Sequence, residues 1–245
     1  MNTQQQDQEK QAIIAAILEK APSNVAVEVD LPSESRVYRL EDPGSPITIR
    51  PMTYEDERAM VSQSSDDPMN IVLSRCVGNV KVHDLLLMDK MFLIMKLREI
   101  SFGDDYEVLL ICPDCGEENP ATIKLSQLPI NPVPDDFVDP VTISLKGIDK
   151  ECKVRLPRVR DTKHLSGEEG YFNDLWRFVE SIDGHTDKSI IHPVVEGLPV
   201  MDRRAIVNAM LVDYGIETKA KLDCKKCGGV NVVELPIGTG FFGGN

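Results

Sequence analysis

Two cysteine pairs constrain this chain more than any other feature. Residues 112–119 read CPDCGEEN and residues 224–231 read CKKCGGVN. Each has two cysteines three positions apart, a glycine directly after the second, and an asparagine three residues past that glycine. Thiolates at this spacing can both face one ion where the chain turns tightly, and Gly116 and Gly228 suit the positive φ that such a turn needs. Each pair is therefore half of a tetrahedral four-thiolate site. A redox CxxC opens a helix, whereas YEVLLIC and TKAKLDC alternate like strands running into a turn. Two separate disulfides, or coincidence, are the other readings. Ligand type and spacing favour one structural Zn2+ shared by Cys112, Cys115, Cys224 and Cys227. A zinc ion closed by four thiolates has no position for a reacting water, so it builds structure and does not activate a nucleophile.

The flanks of the two knuckles match as well. Gly103 lies nine residues before Cys112, and Gly215 lies nine before Cys224. MDKMFLIMKLREISFG (88–103) parallels MDRRAIVNAMLVDYG (201–215), and both halves go on to Leu-Pro-Ile, at 128–130 and 235–237. Upstream, VYRLEDPGSPITIRP (37–51) resembles TISLKGIDKECKVRLP (142–157), each read as two strand runs around a turn. Order and spacing point to an internal duplication; the alternative is chance similarity between two α+β stretches. The expected fold is α+β. It has two pseudo-repeated halves, each a β-hairpin, helices and a zinc-knuckle strand pair, joined by a shared zinc-ribbon-like site. The expected organisation is an amphipathic arm at 1–29, a first repeat at 30–130 and a proline-rich acidic linker at 131–141. A second repeat at 142–237 and a flexible Gly/Phe tail at 238–245 complete it.

Local signals fill in the halves. Thr53 and Asp56 form a capping-box pattern after Pro51. Asp89 and Asp202 are expected as N-caps of equivalent helices that end before Gly103 and Gly215. EEGYFNDLWRFVESIDG reads as an amphipathic helix whose Phe172, Leu175, Trp176 and Val179 belong to a core or an interface. Cys76 and Cys152 sit in apolar or strand contexts and read as core thiols. KVRLPRVRDTK, from 153, alternates like the outer face of a strand. In EKQAIIAAILEK (9–20), Ala12, Ile13, Ala16 and Ile17 share one helical face. That segment is either a docked terminal helix or a partner-binding arm, with Ile13 and Ile17 as its contacts. Phe241 and Phe242, in the glycine-rich GTGFFGGN, are expected as an exposed pair and a second candidate partner contact.

Composition narrows the function. With 245 residues, 42% of them hydrophobic, the chain can bury a sizeable core. MNTQQQDQEK lacks the apolar stretch of a signal peptide, and LLLMDKMFLIM is too short and too charged to span a membrane. Cysteines kept for metal suit a reducing compartment. His83, His164, His185 and His192 are scattered without metal-site or catalytic spacing, and no phosphate loop or nucleophile elbow is present. The net charge of −13 opposes the electrostatic footprint of a nucleic-acid binder.

The runs LPSESRVY, ITIRPMTYEDE and LLLMDKMFLIMKLREISFGDDYEVLLICPDCG resemble the baseplate hub assembly proteins of contractile-tailed bacteriophages, the T4-type baseplate family. The resemblance is best over residues 30–130. It rests on Leu31-Pro32-Ser33, Arg50-Pro51-Met52-Thr53, Asp56-Glu57, Asp89, Arg98, Phe102-Gly103 and the Cys112/Cys115 knuckle. Glu34-Ser35 follow LPS where the family pattern has a glycine nearby. The resemblance implies a non-enzymatic tail component or assembly factor of the baseplate hub. Its expected partners are other hub proteins, with the tape-measure protein a candidate among them. Its expected location is the host cytoplasm during assembly and the tail baseplate of the virion. The rival class is a zinc-ribbon adaptor or regulatory protein that binds nucleic acid or the transcription machinery.

Overall fold

The structure is a computed structural model and describes residues 3–19, 25–62, 67–164 and 174–242. It is mixed α+β. Helix α1 (Thr3–Leu18) comes first, then strands β1 (Val27–Glu28) and β2 (Thr48–Ile49), helices α2 (Tyr54–Val61) and α3 (Pro68–Cys76), and strand β3 (Val77–Gly78). Helix α4 (Leu87–Phe102) leads into the first knuckle hairpin, β4 (Asp105–Ile111) and β5 (Glu118–Lys124). After β6 (Ile130–Asn131) come β7 (Val141–Leu145), β8 (Lys150–Val154), β9 (Val179–Ile182), α5 (Lys188–Glu196) and α6 (Val200–Ala209). Strand β10 (Gly215–Ile216) precedes the second knuckle hairpin, β11 (Lys219–Asp223) and β12 (Val230–Glu234).

The sheets are small. β1-β2-β3 and β7-β8-β9 are three-stranded; β4-β5, β11-β12 and β6-β10 are separate pairs, and every pairing is antiparallel. One core gathers around α3 and α4, a second around β7-β8-β9 with α5 and α6. A smaller cluster of Leu86, Val133, Phe137, Leu156 and Tyr214 touches the first core through Tyr38. Helix α4 buries Phe92, Leu93, Ile94, Met95 and Leu97, an apolar surface too wide for an ordinary surface helix, so it serves as a central strut.

The capping box at Thr53 is present. Its hydroxyl accepts from the Asp56 N–H at 3.3 Å, and Asp56 accepts from the Thr53 N–H at 2.9 Å. Gly103 closes α4 at φ +95°, a conformation in which a side chain is costly. Hairpin β7-β8 lies where the sequence places it.

Several expectations are corrected. Asp89 is not an N-cap: α4 starts after Leu86, whose N–H is taken by the Tyr38 hydroxyl at 2.8 Å. Asp89 sits in the first helical turn, fully buried, and accepts from the Ser33 N–H at 3.1 Å and from Tyr38. Asp202 is likewise inside α6, with Pro199 at the cap, and accepts from the Gly147 N–H at 2.9 Å. Helix α6 stops at Ala209, well before Gly215, because residues 215–216 must be extended to pair with β6 and Gly215 lies against Met88.

Residues 37–51 form no hairpin. Residues 32–37 turn, Tyr38 is drawn to Asp89, and β2 pairs instead with β1 and β3. The segment expected as a helix around Trp176 is a short 3-10 turn, Leu175–Phe178, followed by β9; Phe172 falls outside the described residues. Leu175, Phe178, Val179 and Ile182 are all buried, and their spacing fits a helical stripe. The open edge of β8 takes Val179 and Ile182 as a strand instead, while Leu175 and Phe178 stay in the short turn before it.

Two of the three arginines of KVRLPRVRDTK are not on a solvated strand face, while Arg160 stays exposed beside Asp84. Arg155 and Arg158 are mostly covered and bound to Asp161 and Asp139.

Several contacts occur in both cores. Arg50 grips Asp56, six residues on, with Nη1–Oδ2 and Nη2–Oδ1 at 2.7 and 3.1 Å. Arg155 grips Asp161, also six residues on, through the same atoms at 2.6 and 2.9 Å. Each arginine also donates to a distant carbonyl, Arg75 or Arg177, and each carboxylate accepts a backbone N–H three residues upstream, from Thr53 or Arg158. Burial alone raises these carboxyls. The hydrogen bonds from the arginines and backbone outweigh it and hold both Asp56 and Asp161 below the usual carboxylate range.

Candidate metal centre

Strands β4 and β11 each run into a tight turn that ends in a cysteine pair. In the first, the Cys112 N–H donates to Glu117 O and the Gly116 N–H to Cys112 O, both at 2.9 Å. In the second, the Cys224 N–H donates to Gly229 O and the Gly228 N–H to Cys224 O, again both at 2.9 Å. Gly116 and Gly228 have φ of +70° and +72°, which a β-carbon would strain. These turns point both sulfurs of each pair the same way.

The two knuckles face one another. Cys112 Sγ lies 3.7 Å from Cys227 Sγ, and Cys115 Sγ lies 3.7 Å from Cys224 Sγ. All four sulfurs fall within 4.8 Å of one another. A tetrahedron with zinc–sulfur bonds of about 2.3 Å has edges of about 3.75 Å, whereas a disulfide needs about 2.05 Å. The cluster thus fits a metal ion and not a pair of disulfides, and all six cysteines of the chain are free thiols. Cys112 and Cys224 are buried, Cys115 is half-buried and Cys227 is exposed, so the site lies at the surface with one side open to solvent.

The thiols of the cluster shift in opposite directions. Backbone N–H groups of Cys227 and Lys226 pull the Cys224 thiol down to about 6. At Cys115 the Glu117 N–H acts in the same sense, but desolvation and the neighbouring thiols prevail and push it up to about 12. One thiol of such a cluster ionises easily, and the next resists because negative charge is already beside it. A divalent cation removes that conflict.

Two asparagines lock the knuckles to each other. Asn119 Nδ2 donates to Glu117 O at 3.0 Å and to Cys224 Sγ of the opposite knuckle at 3.5 Å. Asn231 Nδ2 donates to Gly229 O at 2.9 Å and to Cys112 Sγ at 3.9 Å. The Lys225 N–H closes on Asn119 Oδ1 at 2.9 Å. Such donors steady thiolate ligands from behind. Their equal spacing after each glycine was visible in the sequence, but their role in crossing to the other half was not. Gly229 has a packing reason of its own: a β-carbon there would stand 2.7 Å from Asp114 Oδ2 and 3.4 Å from Cys227 Sγ.

Cys76 and Cys152 are buried core thiols, and burial raises them to about 12 and about 11. Ile13 and Ile17, on α1, are 54% and 75% exposed. Phe241 and Phe242 are not an exposed pair: at 0% and 1% exposure they lie in the main core. Phe241 packs on Tyr106 with ring centroids 5.0 Å apart, and Phe242 on Phe102 at 6.3 Å. The turn is held by Arg98, whose Nε donates to Phe241 O at 3.0 Å.

A family model described as "T4 bacteriophage base plate protein" matches residues 5–243, nearly the whole chain. The chain belongs to that family, and its class is that of a structural protein of the phage tail that contacts other tail proteins. No curated protein and no solved structure matches it. Among the described residues, no helix is long and apolar enough to cross a membrane.

Proposed function

We propose that the protein is a non-enzymatic structural or assembly component of the baseplate hub of a contractile-tailed phage. It acts through protein–protein contacts and is clasped by one structural Zn2+ on Cys112, Cys115, Cys224 and Cys227. The observation that carries this is the meeting of two distant cysteine pairs at tetrahedral spacing in a chain of the baseplate family. A four-thiolate zinc is coordinatively closed, so its contribution is to folding.

The clasp joins two versions of one design, residues 30–130 and 142–237, with 131–141 between them. The paired Arg50–Asp56 and Arg155–Asp161 grips support this, as do the buried Asp89 and Asp202, each taking a backbone N–H from Ser33 or Gly147. The two knuckles that trade asparagine bonds across their boundary support it again.

The arm 1–29 supplies a partner contact. Ile13, Ile14 and Ile17 are exposed on α1, and such a helix can seat a few anchoring side chains in a partner's groove. The partners are hub proteins, with the tape-measure protein a candidate, met in the host cytoplasm during assembly. Deleting residues 1–21 tests this. The truncated chain should keep its metal and its fold while losing co-purification with hub components from infected cells. Normal co-assembly of the truncated chain would remove the arm from the account.

A further inference from the structure

Between the two knuckle hairpins lies a slot whose walls are two unpaired strand edges. At one end the hairpins are joined by the cysteine cluster and by the Lys225 N–H to Asn119 Oδ1 bond. At the other end they are joined by the Glu217 N–H to Pro129 O bond, at 2.8 Å, and by the β6-β10 ladder. Among the described residues β5 is paired only with β4 and β11 only with β12, and the two make no ladder with each other. The space between them is a cleft of about 680 Å³.

The lining of the slot defines what fits. Ile123 and Leu128 are buried at its floor, and Ala220 and Leu222 are half-buried beside them. Its rim carries Lys124, Lys219 and Lys221 against a single Glu217. Lys124 pairs with Asp105 on the far strand of its own hairpin. Lys219 stands opposite Glu234 in the β11-β12 register. Neither Lys219 nor Lys221 forms an ion pair among the described residues. A basic rim of this kind is unusual on a chain of net charge −13. Open strand edges are ready templates for another strand, and proteins normally cover or blunt them.

We infer that the slot receives an extended acidic segment of a partner protein, which adds a strand between β5 and β11. The two hairpins would then become one five-stranded sheet, β4-β5-segment-β11-β12. At about 3.3 Å per residue, a segment opposite Lys219–Leu222 is about four to five residues long. Its side chains alternate, apolar toward Ile123, Ala220 and Leu222 and acidic toward the lysines. Backbone hydrogen bonds to the open edges supply affinity and the alternating side chains supply specificity, as in other strand additions. This names the partner chemistry of the proposed tail-assembly role and rests on it.

The test uses the full chain, zinc-loaded, and a fluorescein-labelled, end-blocked peptide in which valine alternates with aspartate and glutamate. Three comparison probes are the same peptide with lysine for each acid, the same peptide with alternate backbone nitrogens methylated, and no peptide, for the oligomeric state. The acidic peptide should bind at least about tenfold more tightly than the basic one. Methylation should abolish binding, because the ladder can no longer form. The double variant Lys219→Glu, Lys221→Glu should lose the acidic peptide while keeping its metal content. Equal binding of the acidic and basic peptides, full binding of the methylated one, or unchanged binding by the double variant would each overturn the inference. So would absence of binding by a chain that is dimeric through this edge, since the occupant is then a second copy. Co-purification with tail proteins is read separately. If the double variant loses the peptide yet co-assembles normally, the slot fails and the baseplate role stands. If the wild-type chain binds the peptide but enters no tail complex, the slot stands and the baseplate role fails.

Discussion

Arg98 and Phe241, 143 positions apart, are joined by a 3.0 Å hydrogen bond from the guanidinium Nε to the backbone carbonyl. The same guanidinium lies over the Phe102 ring, 4.9 Å from its centroid, and also donates to Gly103 O at 3.3 Å. One buried arginine therefore fastens the C-terminal end of the described chain to the end of the central helix. Burial lowers its pKa from the ordinary value, yet a guanidinium stays charged at any physiological pH, so its donors must be satisfied.

The aromatic pair at the C-terminal end is thus part of the fold. Phe241→Ala should cost about 3–5 kcal/mol, the usual range for removing a buried phenylalanine, measured by urea unfolding. Deleting residues 238–245 should destabilise the chain at least as much. A deletion that left stability unchanged would restore a surface role for the pair.

Asp161 and Asp56 predict an acid response with a definite sign. Both carboxyls are held below their ordinary values when folded, while in the unfolded chain they return to about 3.9. Between those two pKa values the unfolded chain binds a proton that the folded chain does not. Their stabilisation is therefore present above about pH 4 and is lost as pH falls through the folded values. Asp161→Asn should cost about 3 kcal/mol near neutrality, because it leaves the largely covered Arg155 with only the more exposed Glu180 as a close counter-charge. Asp56→Asn should cost less, because Arg50 and Arg75 reach solvent. Each variant should also show a flatter loss of stability below pH 4 than the parent, followed by circular dichroism. An unchanged acid profile in both would contradict the assignment.

Ser35 has φ +57° and Glu34 has φ +53°, a left-handed pair in the turn that follows Leu31-Pro32-Ser33. That conformation costs an L-residue about 1–2 kcal/mol, partly offset in a glycine variant by the greater freedom of its unfolded chain, about 0.5–1 kcal/mol. Ser35→Gly should therefore raise stability by about 0.5–1 kcal/mol, seen as a higher Tm. A lower Tm would mean that the turn needs the serine side chain.

What could be read in the sequence was local or repeated. The knuckles, the capping box at Thr53 and the glycine closing α4 depend on a few adjacent residues with one physical solution each. Leu175, Phe178, Val179 and Ile182 have a spacing that serves a helix, and only the open edge of β8 draws Val179 and Ile182 into a strand. Asp89 looked like a cap because its type and place suit one, but Tyr38 had already satisfied the helix terminus from 48 positions away. The burial of Phe241 and Phe242 depends on Arg98 and Tyr106, which nothing near the tail announces. Asn119 and Asn231 were visible as a repeated letter, but their bonds to the opposite cysteines exist only once the two halves meet.

The central claim is that one metal ion joins the two halves through Cys112, Cys115, Cys224 and Cys227. Native mass spectrometry of the reduced, full-length protein measures it directly, beside the Cys224→Ser variant. The account predicts one zinc per chain, lost in the variant, with proteolytic resistance falling in residues 30–130 and 142–237 together, as a shared closed site requires. No zinc in the reduced parent, two zincs per chain, or a variant whose first half stays as resistant as before would contradict it.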